Sequence, residues 1–302
     1  MNRFKSKQTG ILANSDLKTM RGKVIYWLLF AFLIGVCFIS LLPTAWVLLT
    51  SFKDTQEIYS SFTFFPEDLS WSNISRRIID SWKELELAGS ILNTVFMSIG
   101  DLSMTIIVCG FGGYVLSKIK PIGTKIIFML VVWTMMMPSQ MRLVPVYISW
   151  LHFPFAFGNQ GVNLMDTFWP MWLSAAANTF NVVLFKNSFD GLSNSYVEAG
   201  KLDGCGNMGV FFKIMLPLSM PVIIYVSIIT LSNAWSAFFT PYLVLDKNVI
   251  LPVQIYLLKS DTSVEMNTYF MGLIFASLPP FLIFLLFQRH IMGGINIGGV
   301  KG

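Results

Sequence analysis

Charge is scarce in this chain. Of its 302 residues only 12% are Asp, Glu, Lys or Arg, where an ordinary soluble domain carries about 25%. Hydrophobic residues make up 54% and the mean hydropathy is +0.64. That balance excludes a soluble globular enzyme and points to a polytopic membrane protein. Cysteine and histidine are scarcer still. Cys37 and Cys109 fall in apolar segments and Cys205 in a polar one, and no pair suggests a disulfide framework. His152 and His290 are isolated, so no metal site is expected. The patterns G-x-x-x-x-G-K-[ST] and H-E-x-x-H are missing, and with them a nucleotide site or zinc-protease centre on this chain. No cluster of catalytic groups stands out, so no catalytic residue is assigned and the chain is not expected to be an enzyme. The net charge of +5 raises nucleic acid as a partner, but the placement of the charges argues against it.

What the sequence has is apolar runs. A helix needs about 20 apolar residues to cross the hydrocarbon core. Six runs meet that need, at 24–49, 91–116, 126–150, 167–185, 218–245 and 269–287. Pro138 and Pro145 fall in the third and Pro279 and Pro280 in the sixth, where they predict kinks. The expected fold is an all-α membrane protein with six transmembrane helices. Residues 1–23 form a basic tail, 24–288 the membrane domain and 289–302 a second tail. With the N-terminus inside, 14 Lys and Arg residues fall on the cytoplasmic side and 7 outside. The positive-inside rule therefore places both termini in the cytoplasm. The first apolar run is too long for a signal-peptide core, and no small-residue cleavage site follows it. The loop at 51–89 differs from the rest. Its seven acids against four bases mark an extracytoplasmic connector with short amphipathic pieces, and Trp71 and Trp82 suit the membrane interface.

The longest polar, glycine-bearing interruption of the second half is 196–221, which the charge count places in the cytoplasm. Ser195 and Glu198 have capping-box spacing. About two helical turns should follow, ending at Gly204. A second short helix at 208–215 should stop at Pro217. Two short helices at an angle make a knob that a partner protein can grip. Residues 204–209 spell G-x-G-x-x-G, but that fingerprint needs a strand before it, and here the flanks are membrane helices. Glu198, Ala199, Gly204, Ile214, Leu216 and Pro217 are in register with the EAA loop of importers driven by an ATP-binding cassette (ABC), which this segment resembles. Gly200 takes the place of the usual second alanine.

The likeness extends along nearly the whole chain and resembles the MalG-type permease subunit of carbohydrate ABC importers. Its further marks are LNTV at 92–95, GGYVLSK at 112–118, WSAFFTP at 235–241, LP at 251–252 and GGVKG at 298–302. The resemblance implies a type I importer fold in the bacterial cytoplasmic membrane. It also implies a second, MalF-like permease, an ABC ATPase dimer and an extracytoplasmic sugar-binding protein. The cargo implied is a carbohydrate, chiefly an oligosaccharide. No cofactor is implied on this chain, since ATP and Mg belong to the ATPase. Coupling to the ATPase is carried over to Tyr196, Val197, Glu198, Ala199, Gly200, Leu202, Asp203 and Gly204. The tail Gly298, Gly299, Val300, Lys301 and Gly302 is implied to reach between the ATPases, and 246–267 to probe the binding protein. Ser236 replaces the family's usual asparagine, and the threonine before Leu251 is missing. These departures leave the substrate open, and a glycerol-phosphate cargo stays an alternative because relatives of the family carry such compounds.

The candidate pathway residues are Asp101, Asn178, Asn181, Asn233 and Trp235. A charge at the bilayer centre costs ~2.5–3.5 kcal/mol on insertion scales. Asp101 should therefore face the bundle or a wet path, or be protonated, with Arg142 as a possible partner. The asparagines suit either a sugar path or interhelical hydrogen bonds. Trp133, Trp169, Trp172 and Trp235 suit sugar stacking, interface anchoring or packing. The competing class is a self-contained secondary transporter, which should show inverted repeats and several deep charges. Only Asp101 is clearly deep, and no repeat is seen.

Overall fold

The computed structural model describes residues 19–60, 62–153, 161–261 and 263–292. Among the described residues every regular element is helical, and one isolated bridge joins Phe153 to Val162. Three uninterrupted helices are long and apolar enough to span a membrane: Met20–Thr50, Leu87–Ile119 and Met266–Gln288. Two bent pairs are long and apolar enough only when their halves are taken together, Thr124–Met136 with Met141–Leu151, and Asn207–Leu218 with Met220–Ser236.

The remaining expected span, 167–185, is not one helix. It is α8 (Trp169–Ala176) followed by α9 (Thr179–Asp190), broken at Ala177 and Asn178. The fifth expected span, 218–245, is also divided, into α13 (Met220–Ser236) and α14 (Phe239–Val244). Hydropathy reports a run of apolar side chains and cannot show where the backbone ladder stops. The prolines behave unequally. Pro138 caps α7 (Ser139–Leu151) at the break after α6 (Thr124–Met136), whereas Pro145, Pro279 and Pro280 lie inside continuous helices.

The chain divides into two compact units. The first holds residues up to Ser81 together with Glu265–Ile274. It contains α1 (Met20–Thr50) and α2 (Thr55–Ser60). The α1 surface is exposed almost throughout, as expected of a helix that meets lipid or another subunit. Below it the loop is polar and tightly bonded. Lys53 is buried, and its Nζ donates to Thr63 O at 2.5 Å and Thr63 Oγ1 at 2.8 Å, with Glu57 at 3.6 Å. Asn267 Nδ2 donates to Lys53 O at 3.1 Å. The acid-rich connector is thus an ordered, buried-polar element rather than a slack strap.

The second unit holds Trp82–Val264 and residues from Phe275 onward. Its spine begins with α4 (Leu87–Met104) and continues through a π-helical turn at Thr105–Cys109, α5 (Gly110–Tyr114) and a second π turn at Val115–Ile119. α4 packs on α8, α13 and α15 (Leu251–Ser260), and α5 packs on α9. Small residues set these distances. A Cβ on Gly113 would lie 2.7 Å from both Lys186 N and Phe185 Cβ. The indole of Trp172 occupies the space where Gly100 would carry a side chain, and its Nε1 donates to Met97 O at 3.1 Å.

Two hydrophobic cores result. One joins Cys109, Tyr114, Phe185, Phe189, Val197, Phe211 and Met215. The other joins Met97, Trp150, Leu164, Met171, Ala234 and Ile250. Forcing a methyl into a packed backbone contact costs about 1–3 kcal/mol. Gly113→Ala should therefore destabilise the subunit by that amount in thermal unfolding in detergent. Gly112→Ala, whose Cβ would meet only Val182 methyls at 3.8 Å, should leave the midpoint unchanged.

Candidate functional site

The polar stretch at 195–219 folds as two helices on an aromatic base. α10 (Ser195–Leu202) ends in a glycine cap, with Gly204 at φ +83°. Gly204 N donates to Lys201 O and Cys205 N to Gly200 O, the paired bonds of a Schellman turn. The start of α10 differs from the capping box expected there. Asn194 already has helical φ and ψ, and its carbonyl accepts from Val197 and Glu198, so Ser195 lies inside the helix. The Ser195 hydroxyl pairs with Ser193 at 2.7 Å instead.

The second helix also departs from expectation, because it does not stop before Pro217. It runs from α11 (Asn207–Val210) through a π turn at Phe211–Met215 into α12 (Leu216–Leu218). The chain then bends by 83° into α13. A proline inside a helix removes one i→i−4 bond, and the wider π turn just before it accommodates that loss.

The structure divides the eight expected coupling residues by burial. Val197 and Gly200 face inward, where a Cβ on Gly200 would lie 2.6 Å from Ile214 Cδ1 and 3.2 Å from Val210 Cγ2. An alanine here would have to displace the flexible end of Ile214. Tyr196, Glu198, Ala199, Leu202, Asp203 and Gly204 face outward, with Leu202 88% exposed. The preceding turn is held by charge. Lys118 Nζ donates to Leu192 O at 2.6 Å and to Asn194 Oδ1 at 2.8 Å. Asp190 accepts from Ser117 Oγ and from Lys186 Nζ, each at 2.6 Å. Burial acts to raise the Asp190 carboxyl, but the bonds from Lys186 and Ser117 outweigh it, and its pKa lies below the ordinary value. The tail residues Gly298, Gly299, Val300, Lys301 and Gly302 lie outside the described residues.

A second feature lies where α8 breaks from α9. A cavity of about 1200 Å³ opens there, walled by Met135 of α6, by Phe153 and by residues of α7, α8, α9 and α14. It is open to one side, and its volume exceeds the ~300–1,000 Å³ typical of pockets for drug-sized ligands. Its wall is mainly apolar and aromatic, including Tyr147, Trp150, Phe180 and Phe239, with Ser174, Asn178, Thr179 and Thr240 as polar points. Arg142 supplies its charge. Backbone at a helix break is tolerated in a membrane where it borders protein or a cavity. Here Cys109 Sγ lies 3.2 Å from Ala176 O, covering a carbonyl at the break. Asn178 caps α9 by accepting from Asn181 N at 3.1 Å.

Of the candidate pathway residues, Asn178 lines this cavity, while Asp101, Asn181, Asn233 and Trp235 are not among its walls. Asp101 is buried in α4, and its Oδ1 has no hydrogen-bond partner among the described residues. The expected pairing with Arg142 is not formed: the ion pairs among the described residues do not include either side chain. Asn181 is buried, Asn233 is exposed and Trp235 packs in the interior. Trp172 is a packing residue, and Trp133 and Trp169 stay partly exposed. Sequence reading passed over Tyr147 and Trp150. With Arg142 and Val146 they lie on α7 in the third run, where no contrast marks them because most of the run is apolar.

The segment 244–250 is pinned from a distance. Asp166, in a left-handed backbone conformation (φ +56°), accepts through Oδ1 from the amides of Asp246, Lys247 and Asn248 at 3.1, 2.9 and 3.4 Å. The bond from Lys247, with those from Asn248 and Asp246, holds its pKa below the ordinary value.

This architecture matches a bacterial ABC transporter involved in the import of the acidic polysaccharide alginate. The TM-score is 0.71 at 20% identity, covering 93% of this chain and 99% of that one. The fold is thus that of an all-α type I importer permease. Residues 106–296 match the family described as the binding-protein-dependent transport system inner membrane component, and the chain belongs to that family. Among similar proteins is the polygalacturonan/rhamnogalacturonan transport system permease YtcP of Bacillus subtilis. It is 27% identical over 94% of this chain and 100% of its own length. Another is the arabinooligosaccharides transport system permease AraQ of Halalkalibacterium halodurans, 26% identical over 95% of this chain and 100% of its own length. The relatives are transporter permease subunits.

The Asp166 clamp gives a pH prediction. A carboxylate with a depressed folded pKa contributes stability that is full above its unfolded value and is lost as pH falls through the folded one. Amides 246–248 should stay protected down through the ordinary aspartate range and open only below it. Asp166→Ala should expose them at neutral pH, and Asp166→Asn, which tolerates the same backbone conformation, should do so less. Hydrogen exchange corrected for intrinsic rates reads both effects.

Proposed function

We propose that this chain is one of two permease subunits of an ABC importer that carries an oligosaccharide into the cytoplasm. ATP is hydrolysed on a partner ATPase dimer, where Mg also binds, and an extracytoplasmic binding protein delivers the sugar. The observation that supports the reading most is the knob at 195–219, where an exposed Leu202 and Tyr196 stand on a buried aromatic base. A rigid lever is what a soluble motor needs in order to bias a two-state membrane element. The sugar cargo rests on what the relatives are named for: polygalacturonan or rhamnogalacturonan for one and arabinooligosaccharides for another. Both termini lie in the cytoplasm in this reading, and Gly298–Gly302 and the segment after Asp246 meet the ATPase and the binding protein.

The test is purification from native membrane in mild detergent, followed by ATPase assay with the loaded binding protein. A second permease and an ATPase dimer should co-purify. Leu202→Ala should weaken ATPase retention about 5-fold or more, the loss expected for an interface anchor, without changing thermal stability. Val197→Ala, which removes buried packing, should instead lower subunit stability by about 0.5–3 kcal/mol. Transport by the chain alone in sealed vesicles, without any ATPase, overturns the importer reading.

A further inference from the structure

The cavity wall carries one charged side chain, and it is a cation. Among the residues that line the space, Arg142 is the sole titratable group with a full charge at neutral pH. Among the described residues it forms no ion pair. The deep acid that the sequence offers as its partner, Asp101, is on α4 and does not line the cavity. An ionised group inside a membrane-spanning segment is costly and is normally paired or faces a substrate path. A guanidinium is also the side chain whose planar fork matches a carboxylate through two parallel bonds.

A second feature has the same sign. Asn178, Thr179 and Phe180, the cap and first residues of the 12-residue α9, lie in the same wall. A helix start carries partial positive charge and free N–H groups, and broken membrane helices present such ends to anionic parts of a cargo. The remaining surface is apolar and aromatic, with Tyr147, Trp150 and Phe239 offering flat faces for the C–H faces of sugar rings.

We infer that the cargo is an acidic oligosaccharide, and that Arg142 recognises a uronate carboxylate while the aromatic wall holds its rings. The inference rests on the importer reading and narrows its substrate class. Arg142 is the specificity-determining residue. Arg142 is exposed along this wall, so a neutral oligosaccharide loses nothing there but makes no charge-assisted bond, and the wall favours a uronate over its uncharged analogue by that bond alone.

The test is equilibrium binding to the purified complex, both permeases and the ATPase together, without binding protein. The probes are a radiolabelled galacturonate trisaccharide and its fully methyl-esterified form, which keeps the rings and removes the charge. The acid should bind at least 10-fold more tightly than the ester. Arg142→Gln should weaken acid binding about 10- to 100-fold, the loss of a charged hydrogen-bonded contact. The same change should leave ester binding unaltered, and Arg142→Lys should restore part of the difference. Equal binding of acid and ester, no binding of the acid, or equal loss of both forms in Arg142→Gln overturns the inference. The last result assigns Arg142 to a structural pairing with the second permease. Co-purification of the ATPase in the same sample keeps the importer reading standing in each of those cases.

Discussion

Every backbone N–H and C=O that enters hydrocarbon must be bonded within the protein, and the second unit is arranged around the places where its helices break that rule. The α8–α9 break is covered by the Cys109 thiol and by the Asn178 cap. The bend before α13 is covered at Ser219, which is buried, donates its amide to Met215 and Leu216, and accepts from the amides of Val222 and Ile223. Three π turns, at Thr105–Cys109, Val115–Ile119 and Phe211–Met215, widen the helices that surround the same aromatic core. The α8–α9 break and the bend before α13 are thus covered by protein groups, while the α6–α7 break at Met137 stays exposed. The α8–α9 break borders the cavity and the bend before α13 adjoins the knob.

α9 links the two. Its first residues stand in the cavity wall, and its last turns place Phe185, Phe189 and Asp190 under the 195–219 knob. Twelve residues of helix span about 18 Å, so the knob and the cavity wall are joined by one continuous helix rather than through loops. The tight fit of Gly113 against Phe185 and Lys186 keeps that helix in register with the α4–α5 spine. An exposed apolar tip, a buried base and a stiff connection form the mechanical set that a subunit driven by a separate motor requires.

Much of this was legible in the chain itself. Low charge and long apolar runs specify a multi-span membrane protein because insertion depends on summed side-chain hydrophobicity, which is a property of composition. The two-helix knob was legible too, because Gly204 and the polar residues around it are local signals and their turn is closed by local bonds. Its details were not. The Ser195 capping box fails because the turn starts one residue earlier, and Pro217 does not end its helix because a π turn accommodates it. Both outcomes depend on how Val197, Gly200 and Phe211 pack below.

The sequence by itself determined the class, the number and order of apolar runs, and the place of the loop, since these follow from residue-by-residue chemistry and short spacings. The tertiary structure alone decided where the runs break, that Asp101 and Arg142 stay apart, and that Arg142, Trp150 and Asn178 share one wall. Residues in that wall come from two stretches of the chain, 135–180 and 239–243, folded against each other, and an apolar run reads the same whether it faces lipid, a neighbouring helix or an open cavity. Only the packing of helices against one another distinguishes those three surroundings.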